Sequence, residues 1–367
     1  MIRVWGYLKE LEEERTEINR AIDRVLKSGM LILGEEVSKF EESFATYCQC
    51  KYGVGVNSGT DALFLALKAI GIGPGDEVIT VPNTAVPTIS AIASTGAIPR
   101  FVDVNQGSCL MNTSALVDTI TSKTKCILPV HLYGQCVDMA AIKEVAGKYG
   151  LKILEDCAQC HGATQNGQKA GSMSDLSAFS FYPTKILGGY GDGGMVITNS
   201  EELRDKMRRL RFYGMEKTYY SLEHGYNSRL DELHASILRE KLKHLDEYIA
   251  RRRALAKRYD DALKNTELVL PIEEKINFHA YYLYVVRHKR RAEIIEKLKD
   301  YDISVNISYP WPIHVMPAFA GLGYKQGGFP VTEKLAKEVF SLPMYPSLSN
   351  EEQDSVVEAL LNILQNE

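Results

Sequence analysis

The regular alternation of short apolar runs with amphipathic stretches constrains this chain more than any other feature. Runs of strand type lie at Val78–Val81, Phe101–Val104, Cys126–Val130, Ile153–Leu154, Ala178–Phe181 and Met195–Thr198. Helical patterns lie before and between them. Ile18, Ala21, Ile22 and Val25 recur on one face ahead of Gly29, and Leu63, Phe64, Leu67 and Ile70 do so ahead of Gly71. Ile142, Val145, Ala146 and Tyr149 repeat the pattern before Gly150. Strands alternating with helices predict an α/β fold with a mostly parallel central sheet covered on both sides. From about Leu230 to Tyr259 the pattern is that of one long charged helix, and the domain change is placed within it. Residues 1–245 then form a large domain and residues 246–367 a smaller α+β domain. The latter is expected to hold a strand over Tyr281–Val286, a helix over Ala292–Lys299 and a closing helix. Ser349 and Glu352 make a capping box for that last helix, which should bury Val356, Val357, Leu360, Leu361 and Leu364.

With 367 residues, 45% of them hydrophobic, the chain has the apolar mass such a core needs. A net charge of -4 gives no basis for a polyanion-binding surface, so nucleic acid is not an expected partner. No uncharged apolar run approaches the roughly 18–20 residues that span a bilayer, and Met1–Gly6 lacks a signal-peptide profile. Seven cysteines at irregular spacings do not form a disulfide framework. A reducing cytoplasm is the expected setting.

Open α/β sheets bind ligands beyond the carboxyl ends of their strands, and three polar clusters sit at such ends. Asn57-Ser58-Gly59-Thr60-Asp61 lies between strand-like Val54–Val56 and a helix. Gly59 permits close approach, Thr60 is a good N-cap, and the free amides suit either a phosphate or simply a capped helix. Glu155-Asp156-Cys157-Ala158-Gln159 follows the apolar run 151–154. A buried carboxylate there needs a compensating partner such as a protonated heterocycle nitrogen, or it caps a loop. Ser180-Phe181-Tyr182-Pro183-Thr184-Lys185 ends on a lysine in a segment uncharged back to Asp175. Partial desolvation would make that amine nucleophilic, as imine chemistry requires.

Three further patterns need weighing. Gly189–Gly194 formally matches a dinucleotide fingerprint, but strand-like Met195–Thr198 follows it rather than a helix. Those glycines are read as a tight turn beside the lysine. Cys157 and Cys160 have no second pair at metal-like spacing, so they are read as small buried apolar groups and no metal is expected. His314, in the proline-rich Tyr309–His314 stretch, suits either a substrate loop or scaffolding on an exposed turn.

Taken together, these stretches resemble the sugar aminotransferases of the DegT/DnrJ/EryC1/StrS group. The likeness extends from Ser28–Gly34 to Ser341–Leu348. Its motifs include Gly59–Leu63, Pro129–Gly134, Glu155-Asp156-x-Ala158-Gln159-x-His161-Gly162-Ala163, Ser180–Lys185 and Gly225–Leu233. The resemblance implies the aspartate-aminotransferase-like fold (fold type I) and pyridoxal 5'-phosphate as cofactor, bound by the large domain. It implies that Lys185 holds the cofactor as a Schiff base, Asp156 pairs with the pyridine nitrogen and Gln159 bonds the phenolic oxygen. Gly59, Thr60 and Ser180 should hold the phosphate, with Asn227 reaching it from the other subunit of a homodimer. Tyr182, Tyr309 and His314 are the candidate substrate contacts. The chain departs from the family pattern at Ala85, where many relatives place an aromatic residue on the cofactor ring. It departs also at Cys157, Cys160, Ile186 and Ser308.

The resemblance further implies amino transfer from L-glutamate to a keto sugar, with Lys185 as imine former and proton shuttle. Ile32-Leu33-Gly34 with Glu36-Val37, and Asn227–Leu233, resemble the subgroup that aminates nucleotide-linked 3-keto-6-deoxyhexoses. The alternatives are a 4-keto sugar or an inosose as acceptor and, more remotely, a non-catalytic cofactor-binding regulator. A dehydratase of the family is disfavoured because histidine replaces Lys185 there.

Overall fold

A computed structural model of the protein describes residues 1–365. Its centre is a seven-stranded sheet. The strands are β1 (Tyr52–Val56), β2 (Glu77–Thr80), β3 (Ile98–Phe101), β4 (Thr124–Ile127) and β5 (Lys152–Asp156). A short hairpin, β6 (Thr164–Gln165) and β7 (Gln168–Lys169), intervenes before β8 (Leu176–Ser180) and β9 (Gly194–Thr198). The order across the sheet is β1-β9-β8-β5-β4-β2-β3. Only β9 runs antiparallel to its neighbours; β8, β5, β4, β2 and β3 pair in parallel. Every residue of β2, β8 and β9 is buried, as continuous apolar runs in a doubly covered sheet require.

The expected elements are present with shifted bounds. The strand expected over Phe101–Val104 instead spans Ile98–Phe101 and contains Pro99. Proline lacks the N–H of a central strand, but β3 is at the sheet edge, where this is tolerated. The helix expected over 230–259 is two helices, Glu232–Leu242 and Leu245–Leu263, broken at Lys243-His244. Around the second of these a separate apolar cluster forms, with Tyr259, Tyr284, Ile294, Phe340 and Leu360. Tyr284–Arg287 pairs antiparallel with Val339–Leu342 there. The last helix, Asn350–Gln365, carries the expected capping box: Glu352 N–H donates to Ser349 Oγ at 3.1 Å and Ser349 N–H to Glu352 Oε2 at 2.9 Å. Its buried face is Val356, Ala359, Leu360 and Ile363, while Val357, Leu361 and Leu364 are only partly buried.

Four helices of the amino-terminal half matter below: α1 (Tyr7–Ser28), α2 (Glu35–Tyr47), α3 (Gly59–Ala69) and α4 (Val86–Ser94). Gly29 ends α1 in the left-handed conformation at φ 70°, as its position predicts. Among the described residues no helix is long and apolar enough to cross a membrane.

Candidate active site

β5 and β8 pair in parallel, and β1 runs in the same direction because β1 and β8 both pair antiparallel with β9. The carboxyl ends of the three strands therefore lie at one edge, and the three polar clusters converge. β1 runs into α3, and Ser58 Oγ accepts the Asp61 N–H at 3.1 Å. Ser58 is therefore the N-cap expected at Thr60, and the helix begins at Gly59. The capping shift places Gly59 and Thr60 in the first turn, where amides lack intrahelical acceptors. A β-carbon on Gly59 would stand 2.5 Å from Ser180 Cβ. Only glycine lets α3 and the end of β8 approach this closely.

Between these elements lies a cavity of about 370 Å3, walled by Ser58, Gly59, Thr60, Ala85, Asp156, Gln159, Ser180, Tyr182 and Lys185 among others. Asp156, the last residue of β5, is 4% exposed. Thr88 Oγ1, from α4, donates to its Oδ2 at 2.8 Å and Ala158 N–H to its Oδ1 at 3.1 Å. Thr84 backs Thr88 at 2.8 Å. Burial pushes the Asp156 carboxyl above its ordinary range, against these bonds and the charge of Lys185. A cation in the cavity would restore the ionised form.

Lys185 is half-buried, and its Nζ lies 4.7 Å from the centre of the Tyr282 ring. Tyr282 Oη is 3.1 Å from Thr184 Oγ1, which fixes that ring. Gln159 is buried; its Oε1 accepts Tyr133 N–H at 2.9 Å and its Nε2 donates to Tyr309 Oη at 2.7 Å. Tyr133 Oη in turn donates to the Ser308 carbonyl. Thr88, Tyr133 and Tyr282 thus buttress the site; Tyr133 lies in the Pro129–Gly134 motif without a role read for it, and no local signal marked Thr88 or Tyr282. Each acts from an element remote in the chain.

Not every candidate joins the site. Tyr182 is on the rim, 52% exposed. Asn227 is exposed and does not line the cavity of its own chain. His314 corrects the expectation of an exposed substrate turn. It is 1% exposed, its Nε2 is 3.0 Å from Glu333 Oε1, and its ring packs edge-on against Phe329 at 4.8 Å. Trp311 takes the exposed place, and His314 does not line the cavity. The glycine run bends at Tyr190-Gly191 and leads into β9, where a β-carbon on Gly194 would stand 2.3 Å from the Ser58 carbonyl oxygen.

Glu155 points away from Asp156 into a closed network. Its carboxylate accepts Gly171 N–H (3.0 Å), Met173 N–H (2.9 Å) and the hydroxyls of Ser174 and Ser177, and lies 2.8 Å from His131 Nε2. His131 Nδ1 accepts Val137 N–H at 3.1 Å, so Nε2 is the protonated nitrogen. With Cys157 these groups come within 4.8 Å of one another, yet every imidazole and carboxylate atom already has a protein partner. Burial pushes the Cys157 and Cys160 thiols up, which makes them poor ligands and nucleophiles. His161, enclosed by Phe44, Phe179 and Phe181, is pushed down to about 3 by burial and then by the charge of Lys185, and stays neutral.

Residues 12–361 match the DegT/DnrJ/EryC1/StrS aminotransferase family. The chain belongs to that family. Members similar to it include "dTDP-3-amino-3,4,6-trideoxy-alpha-D-glucose transaminase" of Micromonospora megalomicea subsp. nigra, 55% identical over 98% of both chains. A "Pleiotropic regulatory protein" of Geobacillus stearothermophilus is 44% identical over 96% of this chain and 95% of its own. Among solved structures, S. venezuelae DesV in complex with a ketimine intermediate superposes with a TM-score of 0.98. It is 41% identical, and the match covers 100% of this chain and 99% of that one. As a DegT/DnrJ/EryC1/StrS aminotransferase, the protein is a sugar transaminase of fold type I that depends on pyridoxal phosphate.

The residues present fit that cofactor. The close approach of Gly59 to Ser180 leaves a helix start open to a phosphate. The buried Asp156 carboxylate wants a cationic ring nitrogen, and Lys185 offers an amine on the same cavity wall. When bound, the cofactor supplies an electrophilic carbon and a ring that withdraws electrons from it.

Proposed function

We propose that this protein transfers the amino group of L-glutamate to C3 of a nucleotide-linked 3-keto-6-deoxyhexose. The observation that carries the chemistry is that Lys185 and the buried Asp156 share one cavity with the start of α3. The regiochemistry rests on similarity, since the relative at 55% identity is named for a 3-amino sugar. That relative's product also lacks oxygen at C4, so a 4,6-dideoxy-3-keto sugar is the acceptor to try first.

In this reading Lys185 Nζ takes the proton from the α-carbon of the donor and later returns one to the sugar. Asp156 stays ionised against the ring nitrogen, held by Thr88 and Ala158. Gln159, oriented by Tyr133 and Tyr309, addresses the ring oxygen. Gly59, Thr60 and Ser180 hold the phosphate, and Tyr182 and Tyr309 border the acceptor. In this reading the large domain, residues 1–245, supplies the cofactor contacts, and the smaller domain, residues 246–367, adds Tyr282 and Tyr309. Buried free thiols suit a cytoplasmic setting. A regulatory role without catalysis would not need a lysine and a buried carboxylate aimed into one cavity, so the regulator's name in one relative does not decide here.

The test is to measure kcat/KM side by side on the 3-keto and 4-keto isomers, the unstable 3-keto sugar being generated in place by an isomerase. Moving the ketone by one ring carbon displaces it by about a bond length, and misplacement of about 1 Å costs on the order of 100-fold. One isomer should therefore win clearly, and the reading expects the 3-keto sugar. Preference for the 4-keto isomer would overturn the regiochemistry and leave the amino transfer standing.

We propose further that the site is completed by a second copy of the chain. Asn227 is exposed where it could reach a partner's phosphate, and Met30, Leu31 and Ile32 leave apolar surface uncovered. Mixing Lys185→Ala with Asn227→Ala subunits should restore activity, because one site of each hybrid dimer is then free of lesions. Proven subunit exchange without recovery would refute shared sites.

A further inference from the structure

A second cavity, of about 550 Å3, shares Tyr182 and Lys185 with the first. It is otherwise walled by the amino-terminal segment, including Arg3, Trp5 and Glu10, and by Arg252 and Tyr345 from the other side. No role assigned above uses it.

Arg252 is its unexplained member. This side chain is 4% exposed, and its Nη1 donates to three carbonyl oxygens: Met344 at 2.8 Å, Tyr282 at 3.2 Å and Tyr281 at 3.4 Å. Its Nε has no acceptor. These partners are neutral dipoles, and no ion pair to Arg252 occurs among the described residues. The carboxylate that acts most on it is Glu10, which stands beyond ion-pair distance and is itself pushed up by burial. A buried guanidinium without an anion is costly. The site is therefore short of one negative charge.

Its position says which charge. Arg252 holds the backbone carbonyl of Tyr282, the same residue whose ring faces Lys185 Nζ. An unbalanced cation thus stands one residue away from the reacting amine. An α-amino acid carries its carboxylate on the very carbon that loses the amino group. The diphosphate of a nucleotide sugar is separated from a C3 ketone by two ring carbons and the glycosidic oxygen. A guanidinium this close to the lysine, buried without an anion, matches the carboxylate of the donor.

We propose that this second cavity is the subsite for the carboxylate of the amino donor, with Arg252 as its cation and Glu10 as an internal carboxylate that competes with the donor. The assignment rests on Lys185 being the reacting amine.

The two half-reactions of the cofactor-loaded enzyme separate this role from a structural one. Arg252→Lys and Arg252→Gln should raise the saturation constant for glutamate about 10- to 100-fold and leave that for the amino sugar unchanged. Glu10→Gln should act in the opposite sense and tighten glutamate. Calorimetric binding of α-methyl-L-glutamate, which has no transferable proton, should follow the same order without any turnover. If Arg252→Gln fails to fold for loss of the carbonyl clamp, Arg252→Lys and Glu10→Gln still decide. Equal losses in both half-reactions, or no change in Glu10→Gln, would overturn the proposal. A wild-type enzyme that accepts no amino group from glutamate would instead overturn the proposed function, and this inference with it.

Discussion

Replacing Lys185 with alanine is expected to lower turnover with glutamate and keto sugar by roughly 1,000-fold or more. In the proposed mechanism the substitution removes two functions at once, the amine that carries the cofactor and the base that moves the proton. No other described side chain stands ready to replace it. The buried histidine His161 does not line the cavity; burial and the charge of Lys185 push it down to about 3, and it is enclosed by Phe44, Phe179 and Phe181. The cavity walls formed by α3 and β8 do not depend on the lysine, whose Nζ lies over the Tyr282 ring. The variant should therefore fold and still take up cofactor, while losing the visible absorption of the loaded wild type. Steady-state rates near wild type in Lys185→Ala would remove the assignment.

Asp156→Ala should leave that absorption largely in place and slow proton transfer by about 100-fold or more, because a ring nitrogen without its carboxylate partner is a poorer electron sink and about 3 kcal/mol of barrier is about 100-fold. The carboxylate is costly to keep ionised in an empty cavity, because burial pushes it up. Thr88 and Ala158 nevertheless hold both oxygens in place. In the proposed mechanism the ring nitrogen of the cofactor is the cation that offsets this cost. Single-turnover kinetics of the glutamate half-reaction isolates the effect. Unchanged rates in Asp156→Ala would show that the carboxylate serves only to cap the loop after β5.

The cofactor site was legible in the sequence because each of its parts is a short segment at the end of an apolar run. Asp156, Ser180 and Gly59 are fixed by the strand or helix on which they sit, and parallel pairing does the rest. What escaped was set by contacts between distant elements. Thr88 reaches Asp156 from α4, and Tyr282 and Arg252 arrive from beyond residue 245; no local pattern marks them. His314 misled because its prolines suggested an exposed turn, whereas the fold buries the ring against Phe329 and Glu333. The two segments that suggested the 3-amino subgroup prove to be one clasp. Glu232 accepts the amides of Gly34, Glu36 and Val37 at 2.7–2.9 Å, and thereby caps α2. That bond explains why Ile32–Val37 and Asn227–Leu233 belong together, and it says nothing of the sugar.

The central claim is that nitrogen passes from glutamate to a nucleotide-linked sugar through Lys185. It is tested most directly by supplying isotopically labelled glutamate with the 3-keto acceptor and weighing the sugar product. The wild type should place the label on the sugar, and Lys185→Ala should not. Absence of label from the sugar formed by the wild type, with the acceptor present and the cofactor bound, would contradict it.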